Sequence, residues 1–198
     1  DDQYVKIIDF YTLLFEASQP YMKPEKQIIF KLNGVRQGYE GISIKEKMIP
    51  LVRREPELIH GIRNIVHNAL KFSKSNVDIN LITNSKKINL EITDDGEGFP
   101  NDITSIIGEP FLKRSNFSLM EVKNRTSEEG MGLGLFIANI LLEKTNGRLK
   151  FSNIKQIEND GKKRITGAKV EISWERSSIE VLQRDKKAKM KENPRNVS

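Results

Sequence analysis

With 198 residues, 37% hydrophobic and 30% charged, and a mean hydropathy of −0.51, the chain suits one soluble globular domain with a tail and excludes a membrane-spanning core or two full domains. It has no cysteine, which removes disulfides, thiolate metal sites and a cysteine nucleophile, and only His60 and His67 supply imidazole. The formal net charge is +6, yet residues 175–198 hold seven Lys or Arg against four Asp or Glu, so half of the excess falls in a segment expected to be a basic, disordered, solvated tail.

The chain opens Asp1-Asp2-Gln3 with no initiator Met and no basic-then-apolar leader, so we expect a fragment or processed form of something longer. Ile7, Phe10, Leu13, Leu14 and Ala17 recur at helical spacing over residues 7–18, until Pro20 and Pro24 end the pattern. Residues 1–24 are therefore expected to form a helix that either packs on the domain or continues a connection from a preceding one. Residues 27–32 read as a short strand, and residues 33–50 as turns with a second short strand. Leu58, Ile62, Ile65, Val66, Ala69 and Phe72 then mark an amphipathic helix, with Pro56 suited to its first turn.

Val77-x-Ile79-x-Leu81 and Ile88-x-Leu90-x-Ile92 alternate with polar residues about Asn84-Ser85, which predicts an antiparallel hairpin. A turn delivers Asp94-Asp95-Gly96-Glu97-Gly98-Phe99-Pro100. Residues 113–130 are polar and lack an apolar period, as a mobile loop does. A helix is expected from about Met131 to Asn146-Gly147, followed by closing strands at 148–154 and 165–174.

Three groups in this order carry chemistry. Asn64 and Asn68 lie four apart on one face of the predicted helix, and Lys71 follows one turn on. An amide oxygen suits a hard cation such as Mg²⁺, and a lysine neutralises phosphate oxygens. Asp94-x-Gly96-x-Gly98 follows a strand, where a carboxylate can accept from an exocyclic amine while glycines let backbone approach a flat ring. Gly130-Met131-Gly132-Leu133-Gly134-Leu135 precedes a helix whose positive end would meet an anion. Each alone is as well read as a solvated face, an acidic turn or a glycine run. Their order, with a polar loop between the second and third, is far more specific.

That order resembles the catalytic, ATP-binding domain of bacterial histidine kinases, within the Bergerat-fold superfamily that includes gyrase, MutL and a major chaperone. Residues 64–72 match the N box, 94–98 the first glycine box, Glu109-Pro110-Phe111 the F box and 130–135 the second glycine box. The resemblance covers about residues 25–174. It implies an α+β two-layer sandwich, with a mixed, mostly antiparallel sheet packed against about three helices and a mobile ATP lid at about 113–130. It also implies that Asp94 accepts the adenine amino proton and that Asn68 holds Mg²⁺. Asn64 and Lys71 would serve the triphosphate as catalytic residues, and Gly96, Gly98, Phe111, Lys113, Arg114, Gly130, Gly132, Gly134 and Leu135 would line the ATP site. The stretch 130–144 and the ending Gly167-Ala168-Lys169-Val170-Glu171-Ile172-Ser173-Trp174 look like RegB-type redox-responsive sensor kinases. Ala168 stands where the commoner family ending has Thr, and Met131 where a small residue is frequent.

Relatives that hydrolyse ATP, and the anti-sigma-factor serine kinases of similar size, carry Glu as a general base four residues before the Mg²⁺-binding Asn. Here that residue is Asn64, and an amide takes no proton at neutral pH. A neutral imidazole acceptor needs such a base less. The resemblance therefore implies γ-phosphoryl transfer to a His on a separate dimerisation domain of the same full-length kinase, with a response regulator downstream. His60 and His67 lie within the site helix and are read as surface or partly packed imidazoles, so the isolated chain is not expected to autophosphorylate. By resemblance, the full-length kinase would face the cytoplasm from the inner membrane, anchored by segments outside these residues. Other readings are a Bergerat-fold ATPase or serine kinase, a nucleotide-sensing module without transfer activity, and a nucleic-acid binder. The last is disfavoured because few aromatics accompany the basic residues.

Overall fold

The computed structural model describes residues 6–37, 49–100 and 131–182. The first element among the described residues is strand β1 (Ile7–Asp9), where the apolar spacing predicts a helix. Ile8 pairs with Val52 of β4 (Leu51–Arg53) in a two-stranded antiparallel ribbon. Helix α1 (Phe10–Ser18) starts only where Asp9 can cap it, its carboxylate accepting from the Thr12 amide at 2.8 Å and the Thr12 hydroxyl at 2.6 Å. Phe10, Leu13, Leu14 and Ala17 of α1 are buried in the same core as the rest of the domain, so this helix packs on it. Each large side chain sequestered in this way contributes about 1.5–3 kcal/mol.

Among the described residues the main sheet has six strands in the order β3-β2-β5-β6-β8-β7: β2 (Gln27–Leu32), β3 (Val35–Arg36), β5 (Asn76–Thr83), β6 (Lys87–Asp94), β7 (Arg148–Ile157) and β8 (Lys163–Glu175). Among the described strands, only β2 and β5 pair in parallel. Such pairing requires a crossover, which here includes helix α2 (Pro56–Phe72). Alternation along the strands stacks side chains in rows across the sheet. Phe30, Ile79, Ile92, Val170 and Phe151 form one row, and Leu32, Leu81, Leu90, Ile172 and Leu149 the next. Ile62, Ile65, Val66 and Ala69 of α2 are buried in this core, as are Leu135, Ala138 and Leu142 of α3 (Met131–Lys144). The opposite sheet face is polar. There Lys31 meets Asp78 at 2.7 Å and Lys169 meets Glu91 at 3.0 Å and Glu171 at 3.1 Å, pairs worth little individually because water screens them.

This is the α+β sandwich expected, with helices on one face of an open, mostly antiparallel sheet. Two differences have local causes. The closing hairpin is longer at its turn end than its apolar residues predict, because the polar stretch between Lys155 and Ile165 pairs with itself across a register shift at Ile154/Lys155. Beyond β8, a one-turn helix α4 (Arg176–Ile179) is tied by the Arg176–Glu180 ion pair at 2.6 Å, and Val181 donates its amide to Leu51 at 2.8 Å. Ordered structure therefore continues into the segment read as tail, as far as the described residues go.

Candidate nucleotide site

Strand β6 directs Ile88, Leu90 and Ile92 into the core, and the same phase directs Asp94 inward at its end, in register with Val77. Asp94 is 8% exposed. Its Oδ1 accepts the Gly96 amide at 2.8 Å and the Ala168 amide at 3.3 Å. Its Oδ2 accepts no hydrogen bond among the described residues. Burial raises the Asp94 pKa above the ordinary carboxylate value, against the pull of the Gly96 and Ala168 amides. A carboxylate buried at this cost, with one oxygen held and the other unclaimed among the described residues, suits a further hydrogen-bond donor.

Asp95 has the opposite environment. Its partial burial would raise its pKa, but the Ser75 hydroxyl at 2.6 Å and the amides of Ser75, Asn76 and Lys74 outweigh this and hold it at about 2. It thereby braces the start of β5 against the turn. The other side of that junction is capped by Lys26, whose Nζ donates to the carbonyls of Leu70 at 2.6 Å and Ser73 at 2.7 Å at the end of α2. The turn comes so close to this helix end that a Cβ on Gly96 would collide with the Phe72 carbonyl oxygen. Gly98, with φ at +86°, occupies the left-handed region that glycine adopts without strain.

On α2, Asn64 and Asn68 are half-buried and Lys71 is exposed, its amine 5.0 Å from the Phe72 ring centroid. His67 stacks on Tyr21 at 4.6 Å between centroids, and His60 is exposed. Helix α3 packs on α2. A Cβ at Gly61 of α2 would meet the Leu142 side chain of α3 at 2.5 Å. Gly132 lies in the first turn of α3, Gly134 borders open space, and Leu135 is fully buried, which gives Leu135 a core contribution whatever else it does. The structure thus brings the first glycine turn against the end of the N-box helix and packs the second glycine helix on that same helix. Phe111, Lys113, Arg114, Gly130 and the predicted lid at 113–130 lie outside the described residues.

Sequence reading assigned no role to Lys26, Asp95 or the Ala168 amide. The exchange of Thr for Ala at position 168 leaves the backbone donor to Asp94 in place. A separate open concavity of about 500 Å³, between residues 22–28 and Ser75-Asn76, includes none of the predicted site residues, and its Lys26 is already engaged with α2.

The family model of histidine kinase-, DNA gyrase B- and HSP90-like ATPases matches residues 53–177. The chain belongs to this family. A sensor histidine kinase RegB from Cereibacter sphaeroides is 35% identical over 176 residues, which is 88% of this chain and 36% of that protein. The chain thus spans about a third of the length of that relative. The histidine protein kinase SaeS of Staphylococcus aureus is 33% identical over 96 residues, 46% of this chain and 26% of that protein. Among solved structures, the mycobacterial sensor histidine kinase MprB superposes with a TM-score of 0.57 at 18% identity, covering 86% of this chain and 97% of that one. Full-length ShkA in complex with AMPPNP gives 0.58 at 17% identity, covering 92% of this chain and 32% of that one. These likenesses show the fold: the sandwich is of the Bergerat type.

The donor set fits what such ATPases bind. Asp94 offers a buried acceptor for an amine. Among the described residues no group of three His, Cys, Asp or Glu stands ready to hold a metal, and the half-buried Asn68 offers an amide oxygen of the hard-donor type that suits Mg²⁺. No described helix is long and apolar enough to cross a membrane.

Proposed function

We propose that the chain is the catalytic, ATP-binding part of a sensor histidine kinase, which donates a γ-phosphoryl group to a histidine on a separate dimerisation domain of the same kinase. The observation that carries this reading is Asp94, buried at the inward end of β6 with Oδ1 held by two amides and Oδ2 unclaimed among the described residues. In this reading Asp94 accepts the adenine amino proton, and Gly96 and Gly98 let the backbone approach the base. Asn68 holds the metal through its amide oxygen, and Asn64 and Lys71 contact the triphosphate. Phe111, Lys113, Arg114, Gly130, Gly132, Gly134 and Leu135 complete the site. Mg-ATP supplies the transferable phosphoryl group and the metal's positive charge. The chain's own contribution is to bind, orient and neutralise charge.

Asn64 disfavours the hydrolase and serine-kinase alternatives, because its amide cannot act as general base. RegB and SaeS are named as sensor and histidine kinases, and ShkA carries an ATP analogue, which supports the same assignment here. A response regulator downstream, and placement on the cytoplasmic side of an inner membrane through segments outside this chain, follow from that assignment. The test combines this chain, γ-labelled ATP and Mg²⁺ with the separately supplied dimerisation domain. Label is expected on the histidine of that domain and not on this chain. Label on this chain, lost on changing His60 or His67, would contradict the proposal. ATP binding without transfer would favour a sensing module, and phosphate release without an acceptor would favour an ATPase.

A further inference from the structure

The hairpin of β7 and β8 does more than close the sheet. Asn153 on β7 faces Ala168 on β8, whose amide donates to Asp94, and the Asn153 side chain reaches the segment that follows Asp94. Its Oδ1 accepts the Phe99 amide at 2.6 Å and its Nδ2 donates to the Phe99 carbonyl at 2.9 Å. One side chain thus satisfies both backbone groups of one residue, as a neighbouring strand would. The contact is close. A Cβ on Gly98 would come within 2.7 Å of Asn153 Oδ1 and 2.5 Å of the Ile165 side chain, so the left-handed turn at Gly98 fits under the hairpin only as glycine. The Phe99 ring packs edge-on against Phe151, two residues before Asn153, at 5.9 Å between centroids.

We infer that Asn153 is a positioning residue for base recognition: through its two-point clamp on Phe99 it fixes the far end of the Asp94–Phe99 turn and thereby the aim of Asp94. The inference rests on the nucleotide reading above and deepens it. The turn is held at its near end by the Gly96 and Ala168 amides on Asp94 and by the Asp95 contacts with Lys74–Asn76. At Phe99, the side-chain hydrogen bonds to backbone among the described residues come from Asn153 alone. Without them the Phe99 amide and carbonyl lose their partners, and the turn gains freedom at the residue that must keep a positive φ.

The experiment uses the 198-residue chain, with amide exchange read by NMR and affinity for nonhydrolysable ATP and GTP analogues read by calorimetry. For Asn153→Ala we expect faster exchange at Phe99 with unchanged protection in β5 and β6. We also expect ATP-analogue affinity to weaken about tenfold, the effect of losing one to two modest hydrogen bonds' worth of order, with GTP-analogue affinity little changed. Asn153→Ser, which can keep one of the two bonds, is expected to fall between and covers the case in which the alanine variant fails to fold. Gln156→Ala, farther along the hairpin, is expected to behave as wild type. Faster Phe99 exchange with unaltered ATP-analogue affinity, or equal losses for both analogues, would overturn the inference while leaving nucleotide binding intact. Equal binding by wild type and Asp94→Asn, or none by wild type, would instead overturn the nucleotide reading itself and this inference with it, whatever Phe99 exchange shows.

Discussion

The two ends of the central sheet obey one alternation and close in opposite ways. At one end the inward row is Thr83, Ile88 and Trp174. The Trp174 ring meets Phe10 edge-on at 5.5 Å, and its indole donates to the Thr145 hydroxyl at 2.9 Å. At the other end the inward row is Val77 and Asp94, with Ala168 of β8 donating its amide to that carboxylate. The first end is buried, packed around a large aromatic ring, with the indole donor satisfied by a neighbouring hydroxyl. The second places a carboxylate where the pattern calls for another aliphatic side chain. Under the proposed function, stability and binding are divided along the length of single strands, and the strand carrying Ile88 at its packed end carries Asp94 at the end proposed to bind.

Substitutions at the two ends should separate these properties. Trp174→Ala removes the largest fully buried side chain and takes the indole donor from the Thr145 hydroxyl, which keeps its own bond to the Leu142 carbonyl at 2.7 Å. It should cost about 4 kcal/mol of unfolding free energy in denaturant titration, with ATP-analogue affinity nearly unchanged wherever the variant remains folded. A smaller effect distinguishes the neighbouring aspartates. Asp95 has its folded pKa lowered to about 2, so its stabilisation is present above the ordinary carboxylate value of 3.8 and is lost as pH falls from there towards 2. Asp95→Ala should cost about 1 kcal/mol at neutral pH, after allowance for solvent screening, and its deficit against wild type should vanish over that acid interval. Asp94 has the reverse sign. Its raised pKa means that the ionised form costs stability at neutral pH and that this cost lessens as pH falls.

Much of this was legible in the residues themselves. The long apolar periods of α2 and α3 and the alternation of β5 and β6 announced those elements, because each buries one face against the other layer. The glycine spacing after Asp94 announced a turn of close backbone approach. What was hidden depended on partners distant in sequence. Ile7 extends a helical period, yet it and Ile8 pair with β4 because Asp9 starts the helix after them. The parallel pairing of β2 with β5 leaves no local trace. Lys26 is an ordinary surface lysine until α2 ends above it, and Asn153 an ordinary strand asparagine until Phe99 lies beside it. One signal for the site was available and local: Asp94 continues the inward phase of Ile88, Leu90 and Ile92, and a carboxylate in an apolar phase marks a burial that something must justify.

The central claim is that this buried carboxylate reads a nucleotide base. Its most direct test is calorimetric titration of wild type and Asp94→Asn with a nonhydrolysable ATP analogue, with and without Mg²⁺. The substitution preserves size and leaves the side chain a carbonyl oxygen for the Gly96 and Ala168 amides, but removes the charge. The account predicts that affinity falls at least about a hundredfold while stability at neutral pH holds or rises. Unaltered affinity in a folded Asp94→Asn protein would contradict it.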